Sequence, residues 1–514
     1  MSLDRFIIGR MFRFAIPPLV WASVVFGVVA QGQADDPAVA LENALMKLIE
    51  QSEPSVVSIA KIRHAPAETK IIPRGVLERE QPNGPPDDAE NPDFQPNGYG
   101  VGVLLAGLRP NERIVLTNYH VVHDRQRSAD NVADEPRLFV RFADRRACDA
   151  SILAADPRSD LAVLSLDLEK SKIQAADLKP FDWTVSSPIR KGQLVVMLGN
   201  PYALAHDGSA SASWGMISNL ARRPLPWTKD DTSNAMMYRL GNLIQIDGRL
   251  NLGTSGGPVL NLKGELIGLT TSLAAIEGYE KSAGFAIPLD DLTRRIVKSL
   301  IAGHEVEYGM LGIKPGNVSP TEFRNLNIGI KQASAARIVI VTPDSPAQRA
   351  GLIGGEEVGD VILSVGSIPI YSSYDLMRVV GLHPPESQVE ISAWNATRGK
   401  FTVKATLAKW PVLDDEGIIE TIPRYPPWRG ISVDYPTGRS KHHQYFEPFR
   451  RAVLVTKVAS ASTAQSAGIQ PGTFISEVNR TPVQTPREFA DAIKKARGPV
   501  ELRLYDGNRV TIGE

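Results

Sequence analysis

From Gly98 to about Leu273 the sequence is a succession of short apolar or alternating runs: "YGVGVLLAG", "RIVLTNYHVV", "RLFVRF", "LAVLSL", "QLVVMLGN", "NLIQID" and "GPVLNLKGELIGLTTS". Gly, Asn, Asp and Pro punctuate them, which is the pattern of many short strands joined by turns. Strands of this length and spacing bury their apolar faces only by packing sheet on sheet or by closing, so the segment is expected to form a sandwich or barrels. Upstream, "AVALENALMKLIEQSEPSVVSIAKIR" reads as an amphipathic helix stopped near Pro54, followed by a strand from Val56 to Ile62. Residues 66–97 are crowded with Pro, Asn, Asp and Glu and read as one long loop, because too little chain precedes them to build a core.

The chain's 514 residues, 43% hydrophobic and 22% charged, suffice for two to four globular domains. Lys plus Arg and Asp plus Glu both number 57, so no overall basic field exists to hold nucleic acid. The single cysteine, Cys148, excludes an internal disulfide framework and a cysteine zinc site within one chain. At the N-terminus Arg5, Arg10 and Arg13 precede the apolar run "FAIPPLVWASVVFGVVA", and small residues follow at Gly32 and Ala34. Residues 1–34 read as an export signal cut near Ala34, with an uncleaved N-terminal anchor as the alternative.

The last 200 or so residues contain a repeat. "SPAQRAGL" from Ser345 and "STAQSAGI" from Ser462 align without gaps, and each leads into an apolar strand ("DVILSV", "FISEV") and then a helical stretch ("SSYDLMRVV", "TPREFADAI"). Two related modules are expected at 301–410 and 428–514, joined over 411–427 by a segment of linker composition.

One stretch carries chemistry: "LNLGTSGGPVLN", Leu250 to Asn261, sets Ser255 among glycines ahead of an apolar strand. A serine hydroxyl attacks at neutral pH only with a base to take its proton, a group to orient that base and donors for the oxyanion. Among the eight histidines, His120 follows the strand "RIVLTN", where a rigid element presents it. His123 belongs to a polar continuation read as a solvated turn. His64, His206, His304 and His383 sit in loop-like contexts, and the adjacent His442 and His443 lack partners at ligand spacing, so no metal site is expected. Of the two acids in "AADPRSDLAVLSL", Asp156 precedes Pro157 and reads as a turn residue, whereas Asp160 enters the apolar run and is the better orienting group. Taken singly, each of the three has a structural reading: a core histidine, a turn-capping aspartate, a glycine-rich turn. Their chain order, His120, Asp160, Ser255, is one of the recognised orders of a serine-protease triad.

"TNYHVV", "SDLAVL" and "GTSGGPVLN" resemble the active-site signatures of chymotrypsin-fold serine proteases, and in particular of the HtrA (Deg) family. "MLGNPYAL", "SWGMIS", "LIQID", "GELIGLTTS" and "GFAIP" resemble further family segments in order, so the likeness covers roughly residues 40–290, and the C-terminal repeat resembles the family's PDZ domains. The resemblance implies a mainly β protein: a trypsin-like double β-barrel over 35–300 with two C-terminal α+β PDZ-like domains. It implies Ser255 as nucleophile, His120 as general base and acid, Asp160 as its orienting partner, and the N–H groups of Gly253 and Ser255 as oxyanion hole. No cofactor or metal is implied. The implied activity is ATP-independent endoproteolysis of unfolded or damaged exported proteins, in the periplasm, by a trimer or larger assembly. The alternative is a chaperone or peptide-binding scaffold with little proteolysis.

Two departures from the family bear on regulation and specificity. Thr254 stands where the family usually has Asn and trypsin-like zymogens have Asp, so activation by a newly cut amino terminus is not expected. Arg249 falls six residues before Ser255, near the pocket for the substrate side chain preceding the scissile bond. Pointing inward it selects acidic residues; turned outward it leaves the family's small apolar preference. In the PDZ-like modules, Met310, Leu311, Gly312 and Ile313 of "YGMLGI", and Gly430 and Ile431 of "WRGISV", are the candidates for binding free peptide C-termini, or are simply first strands of their modules.

Overall fold

The structure is a computed structural model that describes residues 36–62, 98–123, 136–185, 187–200, 208–222, 242–248, 250–251, 253–271, 284–412, 417–442 and 448–514. Helix α1 spans Pro37–Ser52. Strands β1 (Val56–Ile62), β2 (Gly98–Ala106), β3 (Arg113–Asn118), β4 (Arg137–Phe142), β5 (Ala147–Asp156) and β6 (Leu161–Leu166) pair antiparallel in the order β5-β4-β1-β2-β3-β6, and a further β5 to β6 pairing closes them into a first barrel. The second closed barrel is β10-β11-β12-β9-β8-β7, built from β7 (Leu194–Gly199), β8 (Ser211–Arg222), β9 (Leu243–Ile246), β10 (Pro258–Asn261), β11 (Leu266–Thr271) and β12 (Gly284–Pro288). The expected signal segment at 1–34 lies outside the described residues.

Many of these strands read as continuous apolar runs because both of their faces are covered. Along β7, Val195 and Met197 point into the second barrel with Ile217, Ile244, Ile246 and Val259. The alternate residues Val196 and Leu198 join Val101, Val103, Leu116, Leu161 and Val163 of the first barrel in one shared core, as the two-residue period of a strand requires. The apolar face of helix Asp291–Ile301, through Ile296, Val297, Leu300 and Ile301, completes that core. The first barrel's own interior includes Val57, Ile59, Leu104, Val115, Val140 and Cys148.

The repeat takes the same form twice. After the short pair β13 (Gly309–Met310) and β20 (Ala408–Lys409), strands β14 (Ile313–Val318), β15 (Ala335–Val341), β16 (Val361–Val365), β18 (Gln388–Asn395) and β19 (Gly399–Thr406) form a sheet in that order, with β17 (Ile368–Pro369) on β16. Strands β22 (Ile431–Asp434), β23 (Val453–Val458), β24 (Phe474–Val478), β26 (Val500–Leu504) and β27 (Arg509–Ile512), with β25 (Thr481–Pro482) on β24, repeat the topology. The paired motifs account for the likeness: Ser345 and Ser462 each cap a one-turn helix by accepting from the N–H of Gln348 or Gln465. Gly351 and Gly468 then turn the chain in the left-handed region (φ 76° and 82°).

Between the modules, residues Ile419–Glu420 form β21, which adds to β5 of the first barrel through Ile419 opposite Ala155 and Glu420 opposite Ala154. A buried ionic cluster lies where these parts meet. Arg158 Nε donates to Asp156 Oδ1 at 2.6 Å and its Nη2 to the carbonyl of Val306, while the Tyr308 hydroxyl donates to Asp156 Oδ2 at 2.5 Å. Asp156 does open the turn before Asp160, its carbonyl accepting from the Ser159 N–H at 3.3 Å, and its carboxylate is in addition a fully buried anchor. Lys409 Nζ lies 2.9 Å from Asp434 and 3.2 Å from Glu305, and Arg439 reaches Glu305 at 2.7 Å. His123, expected in solvent, is half-buried with its ring stacked on Tyr119 at 4.7 Å.

Burial alone would raise the Glu305 carboxyl, but the Lys409 ammonium and the Arg439 and Arg158 guanidiniums outweigh it and hold the group far below the usual carboxylate range. A carboxyl depressed on folding stabilises fully above its unfolded value near 4.3, and that contribution fades as pH falls below it. Glu307, raised by burial against the pull of Lys409, works in the opposite sense. Glu305→Gln is expected to remove about 3 kcal/mol near neutral pH by stranding the cations. Thermal unfolding followed from pH 7.5 down to pH 2.5 checks this: the advantage of wild type over the variant is expected to hold down to about pH 4.3 and to shrink steadily below it.

Candidate active site

Strand β3 ends at Asn118 and the chain turns at once into α2 (Tyr119–Val122), the single helical turn that carries His120. Asp160 precedes β6 and sits in the left-handed backbone region at φ 56°, a conformation Asp tolerates better than most residues. There its carbonyl accepts from the Tyr119 N–H at 3.0 Å and from Asn118 Nδ2 at 3.1 Å. Its carboxylate turns the other way: Oδ1 accepts from the His120 N–H at 3.1 Å, and both oxygens lie 2.9 Å from His120 Nδ1. Thr271 Oγ1, at the end of β11, donates to Asp160 Oδ2 at 3.4 Å.

Two acceptor oxygens at Nδ1 require that nitrogen to carry the proton, so the lone pair of the neutral ring resides on Nε2. Nε2 is buried without a hydrogen-bond partner among the described residues. The side chains of His120 and Asp160 are 18% and 3% exposed: the acid is sealed beneath the ring, and the ring keeps a narrow opening.

Ser255 lies in the turn before β10 and is almost fully buried. Its carbonyl accepts from the Val101 N–H of β2 at 2.9 Å, while the Thr117 hydroxyl of β3 donates to the Val101 carbonyl at 2.7 Å. The serine turn is thus seated on the two strands that lead to His120. Gly256 (φ 86°) touches both: a Cβ there would collide with the Val101 carbonyl and reach Thr117 Oγ1. Gly253, at φ 92°, faces the Asn200 carbonyl and the Tyr99 ring, each 2.6 Å from where a Cβ would stand, so only glycine fits. Thr254 closes the loop on itself, its hydroxyl donating to the Asn251 carbonyl at 2.8 Å. Arg249 lies outside the described residues.

His120 and Asp160 are therefore joined directly, while Ser255 is tied to β2 through Val101, which Thr117 of the strand leading to His120 also meets. The module candidates sit elsewhere. Gly312 and Gly430 are equivalent left-handed glycines (φ 74° and 90°), packed on the capping Ser345 and Ser462. The Leu311 and Gly312 carbonyls accept from Ala347 and Thr342, and the Gly430 carbonyl accepts from Ala459. Met310 lies in the short pair with Ala408, Ile313 opens β14 opposite Val341, and Ile431 opens β22 opposite Val458. The ring of Phe449, in the segment before β23, packs on Gly312. Asn118 and Thr271 carry no local sequence mark of their bonds to Asp160. Thr271 meets Asp160 across 111 residues of chain, and only the packing of one barrel on the other reveals it.

The family model described as "Trypsin-like peptidase domain" matches residues 100–269. A probable periplasmic serine endoprotease, DegP-like, of Pseudomonas fluorescens is 27% identical over 510 residues, 95% of this chain and 96% of that protein. The periplasmic pH-dependent serine endoprotease DegQ of Escherichia coli is 27% identical over 466 residues, 90% of each. Among solved structures, the HtrA-type protease AlgW with decapeptide aligns over 71% of this chain and 99% of its own, at 22% identity and TM-score 0.47.

Asp160→Asn is expected to keep the shape of the site but present the amide N–H to Nδ1 and so favour the wrong histidine tautomer. Turnover of an unfolded protein substrate falls by about 10⁴-fold, with little change in melting temperature, which steady-state kinetics and calorimetry check together.

Proposed function

The chain belongs to the HtrA family of trypsin-like serine endopeptidases, and from that premise we propose that His120, Asp160 and Ser255 are its catalytic triad. One observation carries the assignment: Asp160 fixes the proton on His120 Nδ1 and leaves Nε2, buried and unbonded among the described residues, as the base at the seam that holds Ser255. Ser255 Oγ attacks the peptide carbonyl as Nε2 takes its proton; the imidazolium, stabilised by Asp160, returns that proton to the leaving amine. Water repeats the sequence on the acyl-enzyme. The N–H groups of Gly253 and Ser255 receive the oxyanion. The constraint on Gly253, which admits no side chain, supports this role.

The substrates are proteins and peptides, and the protein acts after export to the periplasm. Within that, unfolded or damaged chains are the proposed targets, because an endopeptidase of this kind needs an extended segment in its seam. The modules over 301–410 and 428–514 are proposed to be PDZ-like, binding extended or C-terminal peptides; their shared topology and equivalent Gly312 and Gly430 turns support it. Assembly as a trimer or a set of trimers, and cleavage of the N-terminal segment near Ala34 in preference to its retention as an anchor, complete the proposal. Arg249 turned outward, with a small apolar residue preferred before the cut, avoids burying an unpaired guanidinium.

Hydrolysis of casein by wild type and Ser255→Ala tests the reading. The variant is expected to lose activity by on the order of a million-fold; equal hydrolysis by the two, with contaminating protease excluded, removes Ser255 from the mechanism.

A further inference from the structure

The segment joining the two C-terminal modules does more than span a gap. Its composition is that of a linker, yet residues 417–422 lie along the first barrel. Ile419 and Glu420 extend the β5 edge, the Thr421 hydroxyl donates to the Leu153 carbonyl at 2.8 Å, and Ile419 packs against the barrel's interior cluster, as Tyr119 does. The Thr421 and Ile422 N–H groups donate to the Gly303 carbonyl at 3.1 and 3.0 Å, and the Ile422 carbonyl pairs with His304 Nδ1 at 2.7 Å. The segment is thereby pinned both to the barrel and to the connection entering the first module.

Gly417 is the point of contact with the active site. It adopts φ 79°, and a Cβ there would collide with the Tyr119 hydroxyl and come within 2.9 Å of the ring carbon that bears it. Tyr119 immediately precedes His120 in the one-turn helix α2, and its N–H is held by the carbonyl of Asp160, whose carboxylate holds His120. The far end of the Tyr119 ring therefore abuts the inter-module segment, while its backbone belongs to the Asp160 clamp.

We propose that Gly417–Ile422 is a positioning element of the catalytic barrel, which braces Tyr119 and through it fixes the turn that presents His120. Gly417 is a positioning residue; it touches neither substrate nor the reacting atoms. The inference rests on the protease reading above, with His120 as base. It follows that displacement of Tyr119 misplaces the base without altering the substrate groove, so the effect falls on kcat and not on KM.

Four full-length variants test this on one unfolded protein substrate. Gly417→Ala is expected to lower kcat by about tenfold or more with KM unchanged, as a small misplacement of a catalytic group does. Tyr119→Phe alone gives the baseline against which the double variant is read. Because the hydroxyl is the nearest atom in the way, Gly417→Ala with Tyr119→Phe is expected to recover part of the lost kcat, a non-additivity that contact through this pair requires. Gly468→Ala introduces the same left-handed strain (φ 82°) where nothing lies within 4 Å, and is expected to leave kcat unchanged. Should Gly417→Ala not fold, Thr421→Val decides, by a few-fold fall in kcat from loss of the bond to Leu153. Wild-type kcat in Gly417→Ala, or no recovery on adding Tyr119→Phe, overturns the inference while wild type remains active. Equal hydrolysis by wild type and Ser255→Ala overturns the proposed function and this inference together.

Discussion

The site depends on how the chain holds Asp160. Its backbone is placed at φ 56°, so that the carbonyl binds the residues on either side of the β3 to α2 junction and the carboxylate binds the next residue, His120, through both main chain and ring. One residue thereby sets the position and the tautomer of His120. The left-handed conformation is a modest strain, offset by the hydrogen bonds made from the two ends of a single aspartate. With the carboxylate 3% exposed, little water competes for it.

The barrels supply the rigidity the clamp needs. Strands β2, β3 and β6 bury both faces, one in their own barrel and one in the core shared with the second, so the ends carrying Ser255's seat, His120 and Asp160 move little relative to one another. The glycines around Ser255 let two backbones approach to a distance at which a methyl group is excluded. That closeness brings a turn from the second barrel to the strands that lead to His120 in the first.

What was legible in the sequence is what local chemistry dictates. Ser255 stands out by its glycines, His120 by its place after an apolar strand, and the two modules by capping serines whose side chains meet an N–H three residues on. What escaped depends on approach across long stretches of chain. Asp156 looks like a turn residue beside Pro157, and its partner Tyr308 lies 152 positions away. The inter-module segment lacks any strong intrinsic preference, since two residues of strand are held by an edge the sequence cannot show to be open. Thr271 carries no local mark of its bond to Asp160. Arg249, proposed to lie near the pocket for the residue before the cut, lies outside the described residues.

The central claim is that Ser255 is a nucleophile only because His120, held by Asp160, takes its proton. The most direct measurement is the site and rate of covalent labelling by a fluorophosphonate, read by mass spectrometry in wild type, His120→Ala and Asp160→Asn, each supplied with substrate peptide. The account predicts a single adduct, on Ser255, formed rapidly in wild type and slower by orders of magnitude in both variants. Labelling of Ser255 at equal rates in all three proteins, or an adduct on another residue, would contradict it.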